Sequence, residues 1–144
     1  MEISRGVASL LQEDVTFVES GASVAEAVGI MVQKSVRNIF VMNKGVPVGL
    51  IRDWDIVRRV VASKLDPETV KVDEIMSRPV SSVNSDAEIP EIAAVMAETG
   101  VRRILVVKDG KVLGTITAGS LLNLLSHFPD RNTREILRSI AGLT

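Results

Sequence analysis

The sequence predicts an α/β fold made of two β-α-β-β-α repeats packed on each other, followed by a C-terminal amphipathic helix. Three observations predict it. Displaced by 65 residues, the chain aligns with itself, 7–63 on 72–128, without a gap, and 14 of the 57 pairs are identical, among them Val18/Val83, Met31/Met96, Arg37/Arg102, Gly49/Gly114 and Ile51/Ile116. Within each copy a helical apolar stripe precedes two short strands joined by a tight Gly-containing turn. A chain of 144 residues with 46% apolar and 24% charged side chains can bury roughly 68–70% of its unfolded surface, whereas one copy alone has too little core to stand.

Each copy opens with a short strand, over 15–18 and 80–83. A helix follows. In the first copy Ser23 is a plausible N-cap with Glu26 three residues on, and Val24, Ala27, Val28, Met31 and Val32 form the stripe. In the second copy the stripe is Ile89, Ile92, Ala93, Met96 and Ala97, with Pro90 early in the helix and Thr99-Gly100 ending it. Hairpins come next, strands 38–42 and 47–51 around Asn43-Lys44-Gly45, and 103–107 and 112–117 around Lys108-Asp109-Gly110. A second helix closes each copy, over 54–63 and 119–128, started by Asp53 and Ser120. The chain therefore divides into a first repeat at 1–64, a linker at 65–71, a second repeat at 72–128 and a terminal helix at 129–144. The last carries Ile136, Leu137, Ile140 and Leu143 on one face, with Arg134, Glu135 and Arg138 on another.

Composition removes several functions. Without cysteine there is neither a disulfide nor a thiolate metal site, and one histidine, His127, makes no imidazole site. Asp53 and Asp55 lack a third ligand, so no metal is expected. A net charge of −1 and 3% aromatic residues offer neither the basic face nor the stacking platforms of a nucleic-acid binder. The charge-free stretch 112–129 is interrupted by Gly, Thr, Ser, Asn and Pro and reads as strand then helix rather than a membrane span. The opening Met1-Glu2-Ile3-Ser4-Arg5 has no signal-peptide pattern, which makes the cytoplasm the expected location. No phosphate loop, Gly-x-Ser-x-Gly or histidine beside a nucleophile is present, so an enzyme is not expected.

Two matched segments carry a sharper signal: Gly49-Leu50-Ile51-Arg52-Asp53-Trp54-Asp55-Ile56 and Gly114-Thr115-Ile116-Thr117-Ala118-Gly119-Ser120-Leu121. They resemble the segment closing each repeat of the CBS-domain pairs: a Gly, two apolar residues, Ser or Thr, two variable residues, Asp and an apolar residue. Residues 72–80 resemble the segment that opens such repeats. Both copies are imperfect: the first has Arg52 at the Ser/Thr position and the second has Ser120 at the Asp position. The resemblance covers roughly residues 7–128. It implies a pseudo-two-fold module with two clefts between the repeats, a regulatory role, and an adenosine ligand such as AMP, ADP, ATP or S-adenosylmethionine, with no cofactor required. In the first cleft it implies Asp55 at the ribose hydroxyls, Arg52, Arg37 and Asn38 at the phosphates, and Leu50, Met76, Ser81 and Val101 around the base. In the second it implies Thr117, Arg102 and Arg103 at the phosphates, Ser120 at the ribose position, and Leu11, Thr16, Val36 and Thr115 around the base.

Plainer readings stand beside these. Asp55 in a first helical turn is favoured by the macrodipole whatever the ligand, and Asp53 reads as a cap. Arginines at strand starts commonly face water, although Arg37 and Arg102 occupy matched positions. Trp54 is as suited to packing on a neighbour as to touching ligand, and His127 reads as structural. The leading function is a nucleotide-sensing module; the competing one is a protein-docking or dimerisation module with empty clefts. A homodimer is expected from apolar residues on the second helices, Ile56, Val57 and Val60 with Leu121, Leu124 and Leu125, plus the terminal stripe. An unidentified protein partner is compatible with the same faces.

Overall fold

The structure is a computed structural model that describes residues 3–127 together with Glu135 and Arg138. It forms two compact units, residues 15–80 and, joined in space, 1–14 with the part of the chain from Ser81 onward. The packing units therefore do not coincide with the sequence repeats. The opening segment of each copy folds onto the sheet supplied by the other.

In the 15–80 unit, β1 (Phe17–Glu19), α2 (Val24–Lys34), β2 (Asn38–Asn43) and β3 (Val46–Arg52) are followed by α3 (Asp53–Ile56), a π-helical turn (Val57–Val61) and α4 (Val72–Ile75). The helix α1 (Arg5–Leu10) precedes them in the other unit. The sheet has the order β1-β2-β3, with β1 parallel and β3 antiparallel to β2. Strand β1 begins two residues later than expected. Ser23 caps α2 as expected, its hydroxyl accepting from the Glu26 N–H at 3.1 Å, and Ser35 ends the helix with φ 54°. Lys44 and Gly45, at φ 51° and 79°, make the two-residue hairpin turn whose twist matches that of the strands. Val24, Ala27 and Met31 bury the helix against Val18, Ile39, Val41 and Ile51, and Val72 and Ile75 of α4 with the following Met76 complete this core.

In the other unit, α1 joins β4 (Ser82–Asn84), α5 (Ile89–Thr99), β5 (Arg103–Lys108), β6 (Lys111–Thr117) and α6 (Ala118–Leu125). The sheet order β4-β5-β6 repeats the parallel and antiparallel pairing. Asp109 and Gly110, at φ 52° and 76°, form the second hairpin turn. Ser4 anchors α1 twice, accepting from the Val7 N–H at 3.0 Å and donating to the Ala87 carbonyl at 2.6 Å. Val7 and Leu10 enter a core of Ile92, Ala93, Met96, Ile104, Ile116 and Leu121.

Several expectations need correction. Val32 is 73% exposed and Ala97 is exposed too, because the apolar stripes are narrower than the sequence suggests. The first copy's closing helix is not uniformly α-helical: the Ala62 N–H bonds to the Val57 carbonyl, five residues back. That wider turn brings Asp55 and Val60, five apart, both into the interior. Val60 is thus a core residue, and so, on the α-helix α6, are Leu121 and Leu125, while Ile56 and Leu124 are half-buried and Val57 is exposed. Asp53 is the first helical residue rather than the cap, which is Arg52. His127 is exposed. The terminal stripe Ile136, Leu137, Ile140 and Leu143 lies outside the described residues; Glu135 and Arg138 are helical and exposed. Among the described residues no helix is long and apolar enough to cross a membrane.

Candidate functional site: two strand-to-helix junctions

The first junction forms where β3 runs directly into α3. Asn38 pairs across from Arg52 in the ladder, and the Asp53 N–H donates to the Arg37 carbonyl at 2.9 Å. Strand pairing therefore assembles Arg37, Asn38, Arg52 and Asp55, which are up to 18 positions apart in sequence. Leu50 forms a two-bond bridge to Ser77, N–H to carbonyl at 3.0 and 2.8 Å, which sets Met76 against β3. Gly49 permits this closeness, since a Cβ there would collide with the Cγ and Cβ of Met76, at 2.6 and 2.8 Å.

Asp55 is wholly buried. Its Oδ2 accepts from the Arg52 backbone N–H at 2.9 Å. Arg52 Nε lies 3.5 Å from Oδ2 and Arg58 Nη2 3.8 Å from Oδ1, on side chains that are 50% and 53% exposed. Oδ1 has no hydrogen-bond partner. A buried carboxylate oxygen left without a donor is costly, about 1–3 kcal/mol or more for a charged group. The arginines screen the charge without supplying that bond.

The second junction, β6 into α6, is built on the same frame and filled differently. The Ala118 N–H donates to the Arg102 carbonyl at 2.8 Å, matching Asp53 and Arg37. Gln12 bridges Thr115 through two backbone bonds of 2.8 Å, matching Ser77 and Leu50. Gly114 again allows the approach, because a Cβ would strike the Gln12 carbonyl and Leu11 Cδ1. Here the side chains bond to one another. Thr117 Oγ1 accepts from the Ser120 N–H at 3.1 Å and pairs with Ser120 Oγ at 2.9 Å. Gln12 Nε2 donates to Ser120 Oγ at 3.2 Å, and Arg103 Nη1 donates to the buried Thr115 hydroxyl at 3.1 Å. Burial holds the Arg103 guanidinium below its ordinary pKa.

Of the residues expected at the first cleft, Arg37, Asn38, Leu50, Arg52, Asp55 and Met76 belong to the 15–80 unit, and Ser81 and Val101 to the other. Of those expected at the second, Leu11, Arg102, Arg103, Thr115, Thr117 and Ser120 belong to the unit holding β6, and Thr16 and Val36 to the 15–80 unit. Sequence reasoning missed Arg58 and Gln12. Arg58 was detectable as the (i, i+3) partner of Asp55. Gln12 carries no such local signal, since its place depends on the bridge to Thr115, more than a hundred positions away.

The CBS domain family matches residues 7–62 and 72–127. An uncharacterized protein of Methanopyrus kandleri is 30% identical over 123 residues, covering 84% of this chain and 63% of its own length. The CBS domain-containing protein YhcV of Bacillus subtilis is 30% identical over 115 residues, covering 80% of this chain and 81% of that protein. The hexameric CBS-CP12 protein from bloom-forming cyanobacteria superposes with a TM-score of 0.72 at 30% identity, over 84% of this chain and 72% of that one. The chain spans between 50% and 63% of the length of three archaeal relatives. With two matches over matched halves, and a self-similar pair of sheets closing on matched strand-to-helix junctions, the chain belongs to the CBS-domain family as a tandem pair.

Proposed function

We propose that the chain is a regulatory module, without catalytic activity of its own, that binds an adenine nucleotide or related adenosyl ligand at the Asp55 junction. The observation that carries this reading is the buried Asp55 carboxylate with an unmade hydrogen bond on Oδ1. Ribose offers two adjacent hydroxyl donors, and a carboxylate oxygen accepts from them without a proton of its own to place. Arg37 and Arg52 are exposed at the same strand-to-helix junction and suit the phosphates, for which a guanidinium offers paired donors. A metal is not needed for such binding, and no cluster of three or more metal-ligating side chains occurs among the described residues. A thermal-shift screen with AMP, ADP, ATP, NAD and S-adenosylmethionine tests the reading. A ligand at a hundred times its dissociation constant adds about 2.7 kcal/mol of stability, and no shift with any of the five would overturn it.

A homodimer belongs to the same proposal. Trp54, Val57 and Val61 are 61%, 46% and 66% exposed at spacings of three and four residues along α3 and the π-helical turn that continues it, and Leu65 beyond the turn is 48% exposed; such an apolar surface favours cover. It replaces the face expected from Ile56, Val57 and Val60. The hexameric relative is consistent with self-association. Light scattering at micromolar concentration should give twice the 15.5 kDa chain mass, and Val61→Lys should return it to a monomer. If the stripe served dimerisation alone, the docking reading would hold, and the nucleotide screen above would be silent while the dimer remained.

A further inference from the structure

We propose that Gln12 is a specificity-determining residue: its side-chain amide closes the Thr117–Ser120 junction to ribose, so that the chain offers one nucleotide-binding junction and one that is bonded to itself. The proposal rests on the reading of Asp55 as a ribose acceptor. It follows from counting lone pairs. A serine hydroxyl can accept twice, and Ser120 Oγ receives Gln12 Nε2 at 3.2 Å and the Thr117 hydroxyl at 2.9 Å. Thr117 Oγ1, which donates there, accepts in turn from the Ser120 N–H. No accepting capacity on Ser120 remains for a sugar hydroxyl.

The matched junction shows what the amide does. Gln12 and Ser77 hold the same place in the frame, each bridging a β-strand residue, Thr115 or Leu50, through a pair of backbone bonds. The backbone contact is thus independent of the side chain. Ser77 is too short to deliver a donor across the junction, and Asp55 Oδ1 is left open. Gln12 is long enough, and the acceptor opposite it is consumed. The difference in chain length at 12 and 77 adds to the difference in charge at 120 and 55. Thr115 extends the pattern, since its buried hydroxyl is occupied by Arg103 at 3.1 Å where the matched Leu50 has no polar group to occupy.

Calorimetry with ATP and with AMP on the full chain tests this, comparing wild type, Ser120→Asp and the double variant Gln12→Ser/Ser120→Asp, each also with Asp55→Ala. Gln12 is exposed and Ser120 half-buried, and the Gln12 backbone bridge survives any side chain, so a thermal midpoint near that of wild type is expected throughout. The double variant should gain one site per chain relative to wild type, and should keep that one site when Asp55→Ala is added. Ser120→Asp with Gln12 present should bind there about tenfold more weakly, because the amide competes for the new carboxylate. The proposal is overturned if the double variant gains no site, or if Ser120→Asp alone gains it with equal affinity. Because sites gained are counted against wild type, the result decides whether or not the wild-type chain binds. The Asp55 reading fails by a separate sign, wild-type affinity that Asp55→Ala does not change.

Discussion

Replacing Asp55 by alanine separates a ligand-binding acid from a helix-start acid, because the two roles predict opposite balances of stability and affinity. In the folded chain Asp55 gains one charge-assisted bond, from the Arg52 N–H at 2.9 Å, of roughly 1.5–3 kcal/mol. Against this stands the unmade bond on a wholly buried oxygen, a cost of about 1–3 kcal/mol. The two nearly cancel. The usual penalty for stranding the partner of a buried ion pair, about 3–5 kcal/mol, does not arise, since the arginines are half exposed and water replaces the carboxylate. Asp55→Ala should therefore change unfolding free energy by no more than about 1 kcal/mol, while nucleotide affinity falls about ten- to a hundredfold through loss of at least one charged hydrogen bond. Urea melts and calorimetry with AMP and ATP measure the two quantities. A stability loss of about 2 kcal/mol with affinity intact would refute the reasoning and make Asp55 a helix-start acid that caps α3.

The remaining predictions concern the frame. Gly114→Ala and Gly49→Ala should each destabilise by about 1–3 kcal/mol, with Gly114→Ala the worse, since its Cβ meets a backbone carbonyl and not only the methionine side chain at Gly49; thermal melts that leave either variant as stable as wild type would contradict the close approach. Asp73 accepts the Ser20 hydroxyl and the Gly21 N–H, and the Ser20 bond is the main cause that holds its pKa below 3.8, with burial opposing it. A depressed carboxyl pKa stabilises the fold fully above the unfolded value and loses this as pH falls through the folded one. Asp73→Asn should thus be less stable than wild type at pH 7, the gap closing below the unfolded value of 3.8; a gap unchanged down to pH about 2 would show that ionisation contributes nothing.

Much of this architecture is legible because it depends on local rules stated twice. The 65-residue offset locates both hairpins, and Lys44-Gly45 and Asp109-Gly110 mark their turns because left-handed backbone favours glycine. Ser23 and Glu26 announce α2 for a similarly local reason. The pairing of Arg37 with the Asp53 N–H was within reach for residues placed at the two ends of one hairpin. What escaped depends on contacts between distant segments. Nothing near residue 12 says that it bridges Thr115, so the exchange of opening segments between the two sequence repeats is invisible to periodicity. The π-helical turn is equally hidden, since Val57-Arg58-Arg59-Val60-Val61 suits an α-helix as well. A one-residue change of phase there moved Val60 from surface to core and left Trp54, Val57 and Val61 outside.

The internal repeat also shows which positions the fold requires and which are open to specialisation. Gly49 and Gly114 are identical because the same bridge passes over both, and Arg37 and Arg102 offer their carbonyls to the same kind of junction N–H. Polar groups diverge around this frame. Arg52, Asp55 and Ser77 stand opposite Thr117, Ser120 and Gln12 at the matched positions, exchanging a carboxylate with one unbonded oxygen for a hydroxyl whose accepting capacity is filled. Ser20 and Ser85 follow the same rule: Ser20 donates to Asp73, whereas the position matched to Asp73 is Ala8 and the buried Ser85 hydroxyl has no partner. Because the shared frame is backbone hydrogen bonds and glycine contacts, side chains at each junction could change without moving the strand that carries them. The repeat therefore carries two junctions with the same backbone frame and unequal side-chain chemistry, and on the reading proposed for Asp55 it is that chemistry, not the fold, that decides which one a nucleotide enters.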